Sequence, residues 1–189
     1  LYSYLKEKTL ERTLPIDFLN ELRDVNKNSV CIDLGANIGE ISVMMAKRGA
    51  TVYSFEPNSS AYILLEEKSE IYPKIKPIKK AVGVVNRNVN LYLHSDNHGE
   101  NNTNLSQASS LKFSEFLQDF DHIDLIKIDI EGYEIDLLNH LLDEDSLTNI
   151  KKIFVETHYH KWPELEQPTL KLINTVSYTH LTLPTNREV

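Results

Sequence analysis

The sequence predicts an α/β protein built on a doubly wound, mostly parallel sheet. Three observations carry that prediction. Short β-branched runs recur along the chain, stretches with apolar residues at helical spacing separate them, and a glycine-rich turn joins the first run to its helix. Strands that alternate with helices of about ten residues are βαβ units. Right-handed crossovers then lay helices on both faces of a parallel sheet.

Each element has its own signal. Pro15 to Val25 reads as a short amphipathic helix with Ile16, Leu19 and Leu22 on one face, and Asn26 to Ser29 ends it. Val30 to Leu34 is a compact apolar run, the mark of a strand buried on both faces. Gly35-Ala36-Asn37-Ile38-Gly39 breaks it, and Glu40 to Arg48 follows as a helix stopped by Gly49. Thr51 to Phe55 is the next strand, and Asn58 or Ser59 caps a helix running to Glu70. Lys74 to Val82 is a third strand region, and Val89 to His94 alternates as an extra, antiparallel strand. A polar, Asn-rich loop spans Asp96 to Asn104, and Ser114 is the expected N-cap of a helix to Phe120. Ile123 to Ile130, Tyr133 to Leu142 and Lys152 to Thr157 complete the pattern as strand, helix and strand.

Bulk properties bound the function. The 189 residues suit one domain, with 41% apolar and 25% charged residues. A formal net charge of −8 argues against nucleic acid as a partner and favours a small neutral or cationic substrate. Cys31 stands alone, so no internal disulfide forms, and a reducing cytoplasmic location is expected. No apolar run approaches the ~20 residues of a membrane span.

Chemistry concentrates at the predicted strand ends, where ligands bind in sheets of this type. Gly35 and Gly39 allow a tight turn, and the dinucleotide fingerprint G-x-G-x-x-G fails because Asn37 stands two after Gly35. Asp33, before the first glycine, would repel a pyrophosphate but accept hydrogen bonds from a cationic amino-acid moiety, so the turn suits S-adenosylmethionine better than NAD. Glu56 follows the second strand, where a carboxylate can accept both ribose hydroxyls of an adenosine; its structural alternative is a solvated acid at the start of the helix. Asp129 and Glu131 lie two apart, so an extended strand would point both to one side. Their structural alternative is a helix cap from Glu131 and a backbone contact from Asp129. His158 and His160 offer a base or metal ligands, but they lack ligand spacing such as H-x-x-x-H, and no metal site is expected.

The segments Cys31 to Gly39, Phe55-Glu56-Pro57-Asn58, Ile126-Lys127-Ile128-Asp129-Ile130-Glu131-Gly132-Tyr133-Glu134 and Glu156-Thr157-His158 together resemble the FkbM family of methyltransferases. The likeness covers roughly residues 29–160. It implies a class I methyltransferase (Rossmann-like) fold, S-adenosylmethionine as cofactor and O-methylation of a sugar, polyketide or similar small hydroxylated acceptor. By that resemblance Asp33, Gly35, Asn37 and Gly39 line the methionine part of the cofactor. Glu56 holds the ribose with Asn58 beside it, and Asp129 and Glu131 stand at the methyl-transfer end. Asp129, Glu131 or His158 is then the base, with Asp129 ranked first for its strand-end position. Ser114 departs from the family, which often carries Asp there.

Two alternatives stand beside this reading: a non-catalytic S-adenosylmethionine-binding fragment and an NAD-dependent reductase. Residues 1–28 are expected to form a helical N-terminal segment and 29–175 the methyltransferase domain, without its last two strands. The segment Val176 to Thr185 matches the translation of a transposon-type sequencing adapter, so residues 176–189 are expected to be foreign to the fold.

Overall fold

A computed structural model describes residues 16–93, 104–157 and 163–177. The chain opens with α1 (Ile16–Glu21), which runs on into a single 3-10 turn, Leu22–Asp24. Then come β1 (Val30–Leu34), α2 (Glu40–Lys47), β2 (Thr51–Phe55), α3 (Ser59–Ile71) and β3 (Ile75–Ile78). After an excursion, the chain returns through α4 (Phe113–Leu117), β7 (Leu125–Ile128), α5 (Glu134–Asp143), β8 (Ile153–Val155) and α6 (Glu166–Ser177). The main sheet has the order β3-β2-β1-β7-β8 and all its pairs are parallel. This is the doubly wound architecture expected.

Strand order fixes where a ligand can sit. The chain builds outward from β1 to β3, then crosses over to place β7 on the other side of β1. The strand order therefore reverses between β1 and β7, which opens a crevice at their carboxyl ends. Register keeps those ends level: Leu34 pairs with both Phe55 and Ile128, and Ile128 pairs with Val155. Gly35, Glu56, Asp129 and Glu156 are consequently the first residues past four adjacent strand ends.

The two faces bury separate cores. Ile32, Leu34, Ile126 and Ile128 point to the face covered by α4 and α5, with Phe113, Leu137, Leu138 and Leu141. Cys31, Val52, Leu125 and Phe154 point to the opposite face, against Phe18 and Leu22 near the N-terminus and Met44 and Met45 of α2. Tyr53 and Phe55 of β2 meet the rings of Phe113, Phe116 and Phe120 edge-to-face, which seats α4 on β2.

Several boundaries differ from expectation. The third strand region divides: β3 joins the main sheet, while Ala81–Gly83 turns away as β4 of a second sheet. β3 is an edge strand, which accommodates Pro77 within it. The second sheet has the order β4-β6-β5, with β5 (Arg87–Leu93) antiparallel to β6 (Asn104–Lys112) and β4 parallel to β6. β6 was not expected, because Ser106, Gln107 and Ser109 give it no β-branched pattern. Pairing with β5 and local hooks hold it instead: Ser110 Oγ donates to the Val85 carbonyl (2.7 Å) and the Lys112 N–H donates to Asn86 Oδ1 (2.8 Å). Ser114 is not the cap of α4; it lies buried inside the helix, and Lys112 precedes the first turn. Asn58 does cap α3, accepting from the N–H groups of Ser60 and Ala61 at 2.8 and 3.2 Å.

Candidate active site

The β1–α2 turn is shaped by the protein around it. Gly35 has φ +76°, and a Cβ there would stand 1.8 Å from the Asp129 carbonyl oxygen. Gly39 has φ +82°, and a Cβ there would strike Leu65 of α3 at 2.6 Å. Gly35 is thus required by close packing against the backbone, and Gly39 by its left-handed conformation, in addition to any approach of a ligand. Asn37 is exposed and left-handed at φ +49°.

Glu56 joins this turn to the next. Its Oε2 accepts from the Asn37 N–H and its Oε1 from the Asn58 N–H, both at 2.7 Å. The carboxylate is buried at 7% exposure. Burial raises its pKa above the ordinary glutamate value and the Asp33 charge adds to that, while the two N–H groups and Lys127 pull the other way. An ionised carboxylate has about four acceptor sites, so both oxygens retain capacity for hydroxyl donors.

A polar row crosses the apolar sheet beneath α2. Register aligns Ser54 with Asp33, Asp33 with Lys127 and Lys127 with Phe154. Ser54 Oγ donates to Ser42 Oγ (2.8 Å), which donates to Asp33 Oδ2 (2.6 Å). Asp33 is wholly buried, and its Oδ1 has no hydrogen-bond partner within range; the nearest cation is Lys127 Nζ at 3.6 Å. Lys127 Nζ also donates to Asp129 Oδ2 (3.1 Å) and to the Gly35 carbonyl (3.2 Å). Burial alone would lower the Lys127 pKa, but the carboxylates of Asp33, Asp129 and Glu156 outweigh it and leave it above the ordinary lysine value.

A cavity of about 160 Å³ opens at these strand ends, lined by Gly35, Ala36, Asn37, Lys127, Asp129 and Glu156. Glu40 and Ile41 of α2 border it, and Phe18 and Phe154 wall it, their rings 4.7 Å apart. It is smaller than the ~300–1,000 Å³ of typical small-molecule sites, so it accepts part of a ligand. Its lining sets three carboxylates, Glu40, Asp129 and Glu156, against one ammonium. That charge suits a cationic group flanked by an anionic one, the character of the methionine end of S-adenosylmethionine.

The expected site residues fall as follows. Asp33, Gly35, Asn37, Gly39, Glu56, Asn58 and Asp129 all lie on or beside the β1, β2 and β7 ends. Glu131 departs from the geometry anticipated for it. The strand stops at Ile128, and Glu131 sits exposed with φ +55°, so strand alternation does not place it with Asp129. The turn between β7 and α5 is held by Glu134, a residue of the helix itself. Its wholly buried carboxylate accepts from the N–H groups of Ile130 (2.9 Å) and Gly132 (3.0 Å to each oxygen). His158 and most of the Asp96–Asn104 loop lie outside the described residues. Sequence reasoning assigned no role to Lys127 or Glu134. The signal for Lys127 was a lysine inside an otherwise apolar strand, which only a buried counter-charge accommodates.

A parallel sheet with its polar residues gathered at the β1–β7 switch point is the architecture of α/β proteins that bind a cofactor or nucleotide at their strand ends. The chain belongs to the FkbM methyltransferase family, whose domain model matches residues 33–180. That membership implies S-adenosylmethionine as cofactor. The human Probable methyltransferase-like protein 24 is 25% identical over 149 residues, 78% of this chain and 36% of that protein. The chain thus spans about a third of the length of the curated relative it matches. Among solved structures, a Streptococcus mutans protein described as a methyltransferase, in complex with SAH (S-adenosylhomocysteine), is 14% identical with a TM-score of 0.55. That match covers 94% of this chain and 93% of the other. An rRNA methylase from Streptococcus thermophilus is 11% identical with a TM-score of 0.52, covering 93% of this chain and 90% of that one. At such identities the solved structures establish the fold alone. None of the described helices is long and apolar enough to cross a membrane.

Proposed function

We propose that the chain transfers a methyl group from S-adenosylmethionine to a hydroxyl of a sugar, polyketide or similar small molecule. The observation that carries this reading is the level set of strand ends around the switch point. It gathers the Gly35 turn, Glu56 and Asp129 about one crevice. Glu56 accepts the ribose hydroxyls, and Asn58 lies beside it at the start of α3. Gly35, Asn37 and the cavity carboxylates receive the methionine end, with Asp33 and Gly39 shaping the turn from behind. Bound S-adenosylmethionine supplies a sulfonium methyl already activated for displacement. The protein's task is then alignment, which can lower a barrier by up to about 7–11 kcal/mol.

Asp129 is the proposed base. It lines the cavity, and Lys127 fixes one of its oxygens. As the acceptor oxygen takes the methyl group, its proton passes to Asp129. Glu131 and His158 follow behind it as candidates. The decisive experiment is calorimetry of the purified chain with SAH and, separately, with NADH. Binding of SAH alone supports the methyl-transfer reading, and binding of NADH alone moves the protein to the reductases. Binding of SAH without transfer of labelled methyl to any of a panel of sugars and polyketide alcohols would identify a non-catalytic module.

A further inference from the structure

We propose that Lys127 is a positioning residue of this site: its ammonium holds the Gly35 carbonyl and the Asp129 carboxylate in fixed relation and supplies the positive charge between Asp33 and Asp129. The proposal rests on the methyltransferase reading for its functional meaning, and on geometry for its substance. Lysine has three N–H donors. Three oxygens from three places in the chain surround this one: Asp129 Oδ2 at 3.1 Å, the Gly35 carbonyl at 3.2 Å and Asp33 Oδ1 at 3.6 Å. The side chain is 8% exposed, so water screens these contacts little.

The same ammonium touches both walls of the crevice. The Gly35 carbonyl belongs to the turn after β1, and Asp129 is the first residue after β7. A single side chain thereby spans the switch point and ties the cofactor turn to the proposed base. The charged groups that act on it among the described residues are acidic. Asp33 faces it from β1, Asp129 from the end of β7 and Glu156 from the end of β8. Glu56 at the end of β2 feels its charge, and Glu40 at the start of α2 borders the same cavity. Lys127 is the sole cation among the described residues lining that cavity.

Removal of the charge has a consequence that loss of packing lacks. With Lys127→Met, the wholly buried Asp33 loses its counter-charge and faces the partly exposed Asp129, and the site takes up a proton to relieve the repulsion. A buried acid with a raised folded pKa stabilises the fold below its unfolded value and ceases to do so as pH rises through the folded one. The variant's deficit should therefore grow between about pH 5.5 and about pH 8, a window where ordinary carboxylates and lysines keep their charge.

The test compares the parent chain with Lys127→Met at both pH values. It measures Tm without ligand and Kd for SAH by calorimetry. The expected result is a larger Tm deficit at the higher pH, with SAH binding weakened about tenfold or more there and less than about threefold at the lower pH. Deficits that do not change with pH, or no deficit, overturn the proposal. If Lys127→Met folds at neither pH, Lys127→Met with Asp33→Asn decides. Recovered folding supports a charge role, and continued failure assigns Lys127 to packing and overturns it. Failure of the parent chain to bind SAH would sink the methyl-transfer reading alone, because the ligand-free Tm still decides whether Lys127 is the charge bridge.

Discussion

Glu56 stands between two loops, one N–H from Asn37 on one side and one from Asn58 on the other. Glu56→Ala removes an acceptor from both and from the ribose hydroxyls. SAH binding should weaken by about 1–3 kcal/mol, and calorimetry on the folded variant would exclude Glu56 from the site if affinity were unchanged. Asp129→Asn should keep SAH binding and depress methyl transfer, since an amide cannot take the acceptor's proton. Undiminished turnover at saturating substrates would make Asp129 structural and pass the role to His158. At this scale the sequence was informative where a residue's position follows from the strand end beside it. Asp33 lies inside β1, wholly buried, while Glu56 and Asn58 sit where the strand-end pattern put them. It was silent where the task depends on register between distant strands. Nothing in residues 33 and 127 taken separately announces that they pair across β1 and β7. The shared side of Asp129 and Glu131 failed for a related reason. Alternation holds only while the strand lasts, and the strand ends at Ile128.

The β7–α5 connection is an element held from within. Glu134, on the first turn of α5, reaches back to the Ile130 and Gly132 N–H groups. Glu134→Ala leaves those donors unpaired, at a cost of about 1–3 kcal/mol each. Urea denaturation should register that loss, and an unaltered midpoint would show that water satisfies the turn equally well. Gly35→Ala is a harsher change. The left-handed backbone alone costs about 1–2 kcal/mol for an L-residue, and its Cβ would collide with the Asp129 carbonyl. A Tm close to that of the parent would mean that β1 and β7 separate easily. The elements of the main sheet were legible because each carries its own periodicity. The second sheet was not, because β6 is polar and depends on β5 for its form. The break between β3 and β4 was hidden by continuous strand-like composition from Lys74 to Val82.

Across the whole molecule, charge at the sheet centre links stability to alkalinity. The Lys127 pKa is raised in the folded chain. Its contribution is therefore fully present below the ordinary lysine value of about 10.4 and lost as pH rises through the folded value. Thermal unfolding followed above about pH 10 should show this loss, and Lys127→Met should show less of it. The C-terminal proposal belongs to the same scale. Deleting residues 176–189 takes Val176 and Ser177 from the end of α6. Stability should change by no more than about ±0.5 kcal/mol, the range of neutral surface changes. A truncated chain that unfolds would show that the segment belongs to the fold. One further feature gives a way to follow all these variants. Cys31, the single cysteine of the chain, is wholly enclosed in β1, and burial with the nearby Asp124 and Asp33 charges pushes its thiol up to about 12. Reagents that attack thiolates find almost none in the native protein. Each alkylation event then records one molecule whose central strand has opened, so the rate of labelling becomes a clock for rare unfolding, built into the chain without any added probe.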